Sequence, residues 1–179
     1  PPHDPSPATA GVPGSVRSAG GDPMGRDVVV RFATAPIEPW FAIRVPGDLG
    51  LYPADRPQVL FIDAVNETDV ELEVSSLTIP ELLGIRLGDD AWQAWSLLQP
   101  PADQLVRRWA VDASADRNVT RRVSTTLGAD GAALQPGSYL LQSGDFRYVA
   151  VVSELNLTLK RSADEVLVWA TRMDTGRPA

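Results

Sequence analysis

Apolar residues along this chain alternate with polar ones or form short runs, and turn residues separate these segments. In segment 70–74 the three apolar residues fall on one face of a strand and the two glutamates on the other. Segment 59–65 is a nearly continuous apolar run, followed by turn residues at 66–69. A period of two residues is typical of a strand with one buried face, and a short apolar run closed by turn residues is typical of a buried strand. Both segments are therefore predicted as strands, joined as a hairpin.

Similar patterns predict further strands. These are residues 27–34, 41–45, 105–111, 118–127, 138–142, 146–152, 155–159 and 166–173. The exception is the stretch 79–98, where Thr78 and Pro80 suit the start of a helix and Trp92 and Trp95 are one helical turn apart. Turn signals recur roughly every 8–12 residues, as in sandwich domains. The predicted fold class is all-β, an antiparallel β-sandwich with one or two short helical turns in that stretch.

The N-terminal residues have a different composition. They consist mainly of Pro, Gly, Ser and Ala, with few large apolar side chains. Such a segment cannot bury enough surface to offset the entropy lost on ordering, so residues 1–25 are predicted to be a disordered tail. Strand 27–34, which is followed by Pro36 and Pro39, is predicted to close a preceding domain. The 179 residues, with 16 Pro and 14 Gly, fit one turn-rich core.

The sequence lacks the residues on which several kinds of catalytic and metal-binding site depend. The chain has no cysteine, and its single histidine, His3, lies in the proline-rich tail. A Ser-His-Asp triad, a thiol nucleophile and a His- or Cys-based metal site are not expected, so we predict neither an enzyme nor a cofactor. A net charge of −7 and a pI near 4.6 argue against nucleic acid as a partner. No apolar run reaches the roughly 18–20 residues of a membrane span, so membrane insertion is not expected.

Acidic residues are the remaining candidates for chemistry. Asp89 and Asp90 could bind Ca²⁺, but they lack the alternating acidic pattern of a calcium loop and are predicted to form a solvated turn. Glu71, Glu73 and Asp63 could act as paired carboxylates in glycoside hydrolysis. Since both glutamates alternate with apolar residues, a solvent-facing position on a strand is the preferred interpretation. No catalytic residue and no metal ligand is assigned.

The tryptophans are candidates either for the core or for a binding surface, depending on the segment in which they lie. Trp109 and Trp169 lie among strand residues and are predicted to be in the core. Trp92 and Trp95 lie in the less regular stretch and form a candidate patch for a domain interface or a carbohydrate.

Two other sets of polar residues are given structural interpretations. The arginines at 107–108 and 121–122 could pair with acidic neighbours, but solvated strand positions are the preferred interpretation, and a basic binding surface is not expected at a net charge of −7. Asn66, Asn118 and Asn156 each begin an N-glycosylation triplet. The triplets are common by chance, and no role is assigned to them unless the host is eukaryotic.

The C-terminal third carries a more specific signal, in the order of its segments. The segments are LQPGSYLL at 134–141, YVAVVSELNLT at 148–158, DEVLVWAT at 164–171 and TGRP at 175–178. Together they resemble bacterial alpha-2-macroglobulins, in which a PGxYLL strand, a vvSDlgLtlk segment and an LVwatdl segment before TGkP occur in this order. The resemblance covers residues 35–179, and Glu154 stands where the family usually has aspartate.

The resemblance implies a section of a large, multidomain protease trap built from seven-stranded macroglobulin sandwiches. The expected division is a tail and the closing strand of an Ig-like module (1–36), a macroglobulin-like sandwich (37–152) and the opening strands of the next domain (153–179). The implied function is that of a non-catalytic structural module in an extracytoplasmic protease inhibitor. Its expected partners are the neighbouring macroglobulin domains and, through the whole protein, target proteases. Without cysteine, this chain cannot hold the family's thioester.

Two alternatives remain open at this point. One is a cell-surface adhesion or spacer module of Ig-like fold, which requires the same strand pattern. The other is a carbohydrate-binding module that uses Trp92 and Trp95 as a stacking platform.

Overall fold

The computed structural model describes residues 7–33, 35–87 and 90–179, which form a central sandwich and two separate hairpins. The strands are β1 (Pro7–Val12), β2 (Val28–Ala33), β3 (Trp40–Arg44), β4 (Leu49–Pro53), β5 (Val59–Val65), β6 (Asp69–Leu77), β7 (Leu105–Asp112), β8 (Arg121–Thr126), β9 (Gly137–Ser143), β10 (Phe146–Ser153), β11 (Leu155–Arg161) and β12 (Val166–Arg172). Two helices, α1 (Ile79–Leu87) and α2 (Ala91–Leu97), lie between β6 and β7. The predicted all-β class and the helical stretch are therefore confirmed.

Two sheets build the central sandwich. One has the order β4-β10-β9-β6-β7 and the other the order β3-β5-β8. Neighbouring strands are antiparallel except β4 and β10, which are parallel. These described strands number eight, whereas the family resemblance implied a seven-stranded sandwich.

The main apolar core lies between the two sheets. Alternate residues of every sandwich strand point inward, as a strand with one buried face requires. The buried members include Ile43, Leu60, Ile62, Val70, Leu72, Val74, Leu141, Tyr148, Ala150 and Val152. The alternation read from segment 70–74 thus identified an inward face correctly.

The predicted hairpin between β5 and β6 is wrong. β5 pairs with β3 and β8, whereas β6 pairs with β7 and β9. The turn at 66–68 carries the chain from one sheet to the other, so the apolar faces of the two strands meet across the core instead of lying side by side. A short turn between two strands is compatible with both arrangements, and only the packing of the sheets decides between them.

The helices form a third layer on the outer face of the five-stranded sheet. Beneath them lies a second apolar cluster, with Leu77, Leu140 and Val149 from the sheet and Ile85 from α1. The start of α1 is a capping box: the Thr78 amide and hydroxyl donate to the Glu81 carboxylate, both at 2.7 Å, and the Glu81 amide donates to the Thr78 hydroxyl. The bond from the Thr78 backbone lowers the pKa of Glu81. The predicted cap at Thr78 is confirmed.

The pattern missed strand β4 at the sheet edge, because a glycine and a terminal proline weaken its apolar signal. Gly50 in this strand lies against the hydroxyl group of the buried Tyr148. That hydroxyl is 3.0 Å from the hydroxyl of Tyr52, and the two rings meet edge to face. Burial raises the pKa of Tyr148, so its buried hydroxyl stays neutral.

The expectation of a disordered N-terminal tail is wrong for part of the segment. Residues 7–12 form strand β1, which pairs antiparallel with β2 from Pro7↔Ala33 to Val12↔Val28. Backbone pairing with a later strand orders this segment, and composition alone does not reveal such pairing. His3 lies outside the described residues.

Replacement of Gly50 with alanine is expected to destabilise the sandwich, because the added methyl group would overlap the Tyr148 hydroxyl oxygen. The free energy of unfolding should fall by about 1–3 kcal/mol, as for other overpacked cores. Urea denaturation followed by circular dichroism measures the change. The matched control is Gly84→Ala in α1, where a Cβ meets open space and should raise stability by up to about 1 kcal/mol. Equal effects of the two substitutions would contradict the role assigned to Gly50.

Candidate functional site

The N-terminal junction, residues 35–39, is held to the sandwich by two asparagines. Asn118 accepts a hydrogen bond from the Ile37 amide at 2.9 Å, and Asn66 donates one to the Ile37 carbonyl at 2.6 Å. The asparagines also bond each other, since the Asn118 amide donates to the Asn66 side chain at 2.7 Å. The connection into β3 is therefore fixed by side chains from two separate loops.

These two asparagines were missed as structural residues, because the sequence showed only glycosylation triplets. Both have left-handed backbones, with φ of 55° at Asn66 and 62° at Asn118. Asparagine is enriched among residues with this conformation. A turn position after the predicted strand 59–65 was therefore the available signal for Asn66, whereas Asn118 was placed in the predicted strand 118–127, which begins only at Arg121. Asn156, in the third triplet, lies instead on the exposed strand β11.

The C-terminal junction, residues 153–155, is a single bend between β10 and β11. The Ser153 hydroxyl accepts a hydrogen bond from the Leu155 amide at 3.0 Å and donates one to the Leu155 carbonyl at 2.8 Å. The Ser153 carbonyl accepts from the Ala54 amide, and the Glu154 carbonyl accepts from the Met173 amide. Both sides of the bend are thus bonded to neighbouring segments.

The two junctions lie at opposite ends of the sandwich, as the strand register shows. The N-terminal junction is bonded to the loops that follow β5 and precede β8. The C-terminal junction follows β10, whose last residue lies beside the last residue of β4, before the loop that leads into β5. Since one junction is at the end of β5 and the other near its start, the chain enters the sandwich at one end and leaves it at the other.

Each outer hairpin has one largely apolar face. On β11–β12 its apolar residues are Leu155, Leu157, Leu159, Val166, Val168 and Ala170, with Arg161 and Arg172 at the two ends, and on β1–β2 it comprises Ala8, Ala10, Val12, Val28, Val30 and Phe32. Most of these side chains are exposed in the described structure. Trp169, predicted to be in the core, is 54% exposed on the opposite face of β11–β12, so that prediction is not met here. A two-stranded sheet of this kind is only marginally stable by itself.

In the structure, Trp92 and Trp95 do not lie together on one exposed patch. Trp92 is 80% exposed on α2, whereas Trp95 packs against the apolar cluster beneath the helices. One helical turn separates them, but only Trp92 is available on the surface. The pair therefore does not form a shared stacking platform.

Asp63, named from the sequence only as a candidate for a carboxylate pair, is a buried carboxylate on the outer face of the three-stranded sheet. Asp63 of β5 is 5% exposed and lies between Arg122 of β8 and Arg44 of β3. Hydrogen bonds from the arginines, that from Arg122 being the stronger influence, hold the pKa of Asp63 well below its usual range. Arg122 is 64% exposed, as expected of a solvated strand residue, and strand pairing also brings it to an acidic neighbour, Asp63.

Arg107 also has a structural role instead of the predicted solvated one. Its guanidinium lies 4.2 Å from the ring centre of Trp109 and donates a hydrogen bond to the Thr126 carbonyl at 2.9 Å. The Trp109 indole donates to the Thr125 hydroxyl at 3.0 Å. Because β7 and β8 belong to different sheets, these contacts join the two sheets at one edge. Trp109 itself packs against the main core, as predicted.

The acidic candidates form no catalytic pair. Glu73 is ion-paired with Arg108, and Glu71 is exposed, both on the outer face of the five-stranded sheet. They line an open polar cleft of about 400 Å³ together with Arg147, whose guanidinium bonds the carbonyls of Trp95 and Leu98. Asp90 is exposed, and Asp89 lies outside the described residues.

No group of three or more metal-ligating side chains is found among the described residues. Within the same residues, no helix has the length and apolar character needed to cross a membrane.

Comparison with solved structures identifies the architecture. The chain is similar to a piece of native alpha-2-macroglobulin from Escherichia coli that spans domains MG0, NIE and MG1, with a TM-score of 0.64, 15% identity and 97% of the chain covered. This is the fold of bacterial alpha-2-macroglobulin domains. Two Salmonella alpha-2-macroglobulin structures, a point mutant and a methylamine-reacted form, give TM-scores of 0.66 and 0.65 at 14% identity, covering 93% and 92% of the chain.

The chain matches only part of these alpha-2-macroglobulins. It spans 58% of the Escherichia coli piece and 10% of each Salmonella chain. No protein-family model and no curated protein matches the sequence. The alpha-2-macroglobulin fold extends over the central sandwich and into the flanking hairpins, because 97% of the chain is covered.

Loss of the Asn118 side chain is expected to loosen the N-terminal junction. Asn118→Gly keeps the left-handed backbone accessible but removes the acceptor of the Ile37 amide. Hydrogen exchange at the Ile37 amide, followed by NMR, should become about tenfold faster or more, while exchange at Ile62 in the core stays unchanged. Asn156→Gly on β11 is the matched control and should leave Ile37 unaffected. Unchanged Ile37 exchange in Asn118→Gly would show that the side chain does not hold the junction.

Stability is expected to fall on acidification in a manner that depends on Asp63. Because its pKa is depressed in the folded state, Asp63 stabilises the fold above the ordinary carboxyl pKa of about 3.9 and loses this effect as the pH falls below it. Asp63→Asn should therefore be less stable at pH 7 and lose less stability between pH 7 and 3. Thermal unfolding at several pH values measures this, with Ser124→Ala on the same face as control. Parallel pH curves for Asp63→Asn and the wild type would exclude the effect.

Proposed function

We propose that this chain is a non-catalytic structural module of a bacterial alpha-2-macroglobulin-like protease inhibitor, which acts on proteases through the whole protein. The observation that carries the proposal is the fold match over 97% of the chain. The position of the two junctions at opposite ends of the sandwich supports it. A domain connected in this way sets the distance and orientation between its neighbours, which is the task of a module in a tandem array.

The flanking hairpins support a tandem arrangement. We propose that residues 1–36 contain the end of a preceding Ig-like module, that 37–152 form the macroglobulin-like sandwich, and that 153–179 open the next domain. Each hairpin pairs only within itself among the described strands and exposes one apolar face. Such a face is typical of a sheet that packs on a second sheet. The neighbouring domains of the same protein are therefore the proposed partners.

No catalytic role is proposed for this module. The described carboxylates with a lowered pKa are held by ion pairs, caps and turns, as at Asp63, Glu81 and Asp112. Perturbed groups at a catalytic site would instead converge on one cleft. The proposed location is extracytoplasmic, where an inhibitor of this kind would meet foreign proteases.

Protease trapping by the full-length parent protein is the test of this function. A protease mixed with the parent should keep its activity on a small chromogenic peptide and lose it on a large protein substrate, because a trapped protease is screened sterically. Full activity on the large substrate would overturn the inhibitor assignment and favour a spacer or adhesion module.

The contribution of this module is tested by lengthening one junction in the parent. A short Gly-Ser insertion between Ser153 and Glu154 should abolish the screening without unfolding the sandwich, because it uncouples the next domain. The matched control is the same insertion between Ala163 and Asp164, at the exposed turn of β11–β12. Equal trapping by both variants would show that the geometry of the junction is unimportant.

A further inference from the structure

We propose that the outer face of the three-stranded sheet binds an acidic protein segment that also carries aliphatic side chains, with Arg44 and Arg122 as the recognition groups. We call this surface the arginine face. It comprises Trp40, Arg44, Val59, Phe61, Asp63 and Arg122. The proposal concerns a binding surface of this chain and does not depend on the protease-inhibitor assignment.

Asp63 holds both guanidinium groups in place. Arg122 uses Nε and Nη2 to contact the two carboxylate oxygens at 2.6 and 2.8 Å. Arg44 places Nε and Nη2 each 2.8 Å from Oδ2. An arginine fixed by one edge loses less conformational entropy when the rest of its guanidinium binds a partner. The buried carboxylate thus preorganises two cations that emerge at the surface.

Both arginines keep donors for a second carboxylate. Their side chains are 56% and 64% exposed, and neither Nη1 makes a hydrogen bond within the part of the chain that the structure describes. Two guanidinium groups and one carboxylate leave one net positive charge on this face. The other positions, Ala42, Val65, Ser124 and Thr126 among them, carry no charge. A local positive charge in a chain of net charge −7 is complementary to an acidic partner.

Apolar side chains surround the arginines. Phe61 is 48% exposed, and Trp40 and Val59 are exposed to a similar extent. The five-stranded sheet has helices α1 and α2 on its outer face, whereas Arg44, Phe61 and Arg122 of the arginine face remain exposed. Aromatic and arginine side chains together are typical of the residues that contribute most to binding at interfaces. The partner should therefore present aliphatic groups beside its carboxylates.

Other occupants fit less well. A second copy docked face to face would bring two surfaces of net positive charge together, which repel each other. Nucleic acid requires an extended basic surface, and this face has one net positive charge. An acidic segment of another domain or protein satisfies both the charge and the apolar surroundings.

The experiment uses the 179-residue chain and two blocked peptides, one with alternating valine and aspartate and one with alternating valine and asparagine. Titration followed by ¹⁵N NMR should shift the amides of β3, β5 and β8 with the aspartate peptide only. The arginine Nε–H signals should shift with them. Raising the salt concentration to about 0.5 M should weaken this binding, because salt screens exposed charge pairs.

Two variants test which side chains of the arginine face contact the aspartate peptide. Arg122→Gln should weaken binding of the aspartate peptide by about tenfold, as expected for loss of a charged hydrogen-bonding group. Phe61→Ser should weaken it through loss of apolar contact while leaving both arginines in place. Arg161→Gln, an exposed arginine on β11, is the matched control and should bind as the wild type does. Dispersed NMR spectra establish that each variant is folded.

Three outcomes would overturn the proposal. One is the absence of shifts with the aspartate peptide up to its solubility limit. Another is equal binding of the asparagine peptide, which would indicate apolar contact without charge recognition. The third is a shift confined to residues outside β3, β5 and β8. None of these outcomes bears on protease trapping by the parent protein.

Discussion

Apolar packing between the two sheets is the interaction on which the rest of this structure depends. The inward residues of β5 and β6 come from segments only three residues apart, yet they belong to different sheets and meet across the core. Once these faces are buried against each other, the register of the flanking strands decides what is placed outside. The position of the helices, the ion pairs and both junctions follows from this arrangement.

The two ends of the sandwich are held by side-chain hydrogen bonds, whereas its core is held by apolar packing. Loop backbones there cannot use the sheet ladders, so side chains supply their hydrogen bonds. Asn66 and Asn118 do so where the chain enters, and Ser153 does so where it leaves. Because these points lie at opposite ends, the sandwich separates the two flanking segments of the chain. This agrees with the likeness to domains of bacterial alpha-2-macroglobulins, which are built from several domains in one chain.

The two outer faces of the sandwich carry different structures. Helices α1 and α2 cover much of the five-stranded sheet through a second apolar cluster. The three-stranded sheet has an ion-paired centre with aromatic neighbours instead. A buried carboxylate is costly without partners, so the two arginines are needed for the fold as well as for any recognition. The apolar faces of the flanking hairpins form a further class of surface, suited to completion by other sheets.

The sequence by itself determined what depends on neighbouring residues. The period of two identified β6, a short apolar run identified β5, and strands were also predicted where β9 and β10 occur. The Thr78 cap was visible because a capping box spans only a few residues. The order of segments in the last third indicated the alpha-2-macroglobulin fold. Only the tertiary structure decided the partners of β5 and β6, the pairing of β1, and the meeting of Asp63 with Arg122, 59 residues later. These depend on strand register between distant segments, which a local pattern does not encode.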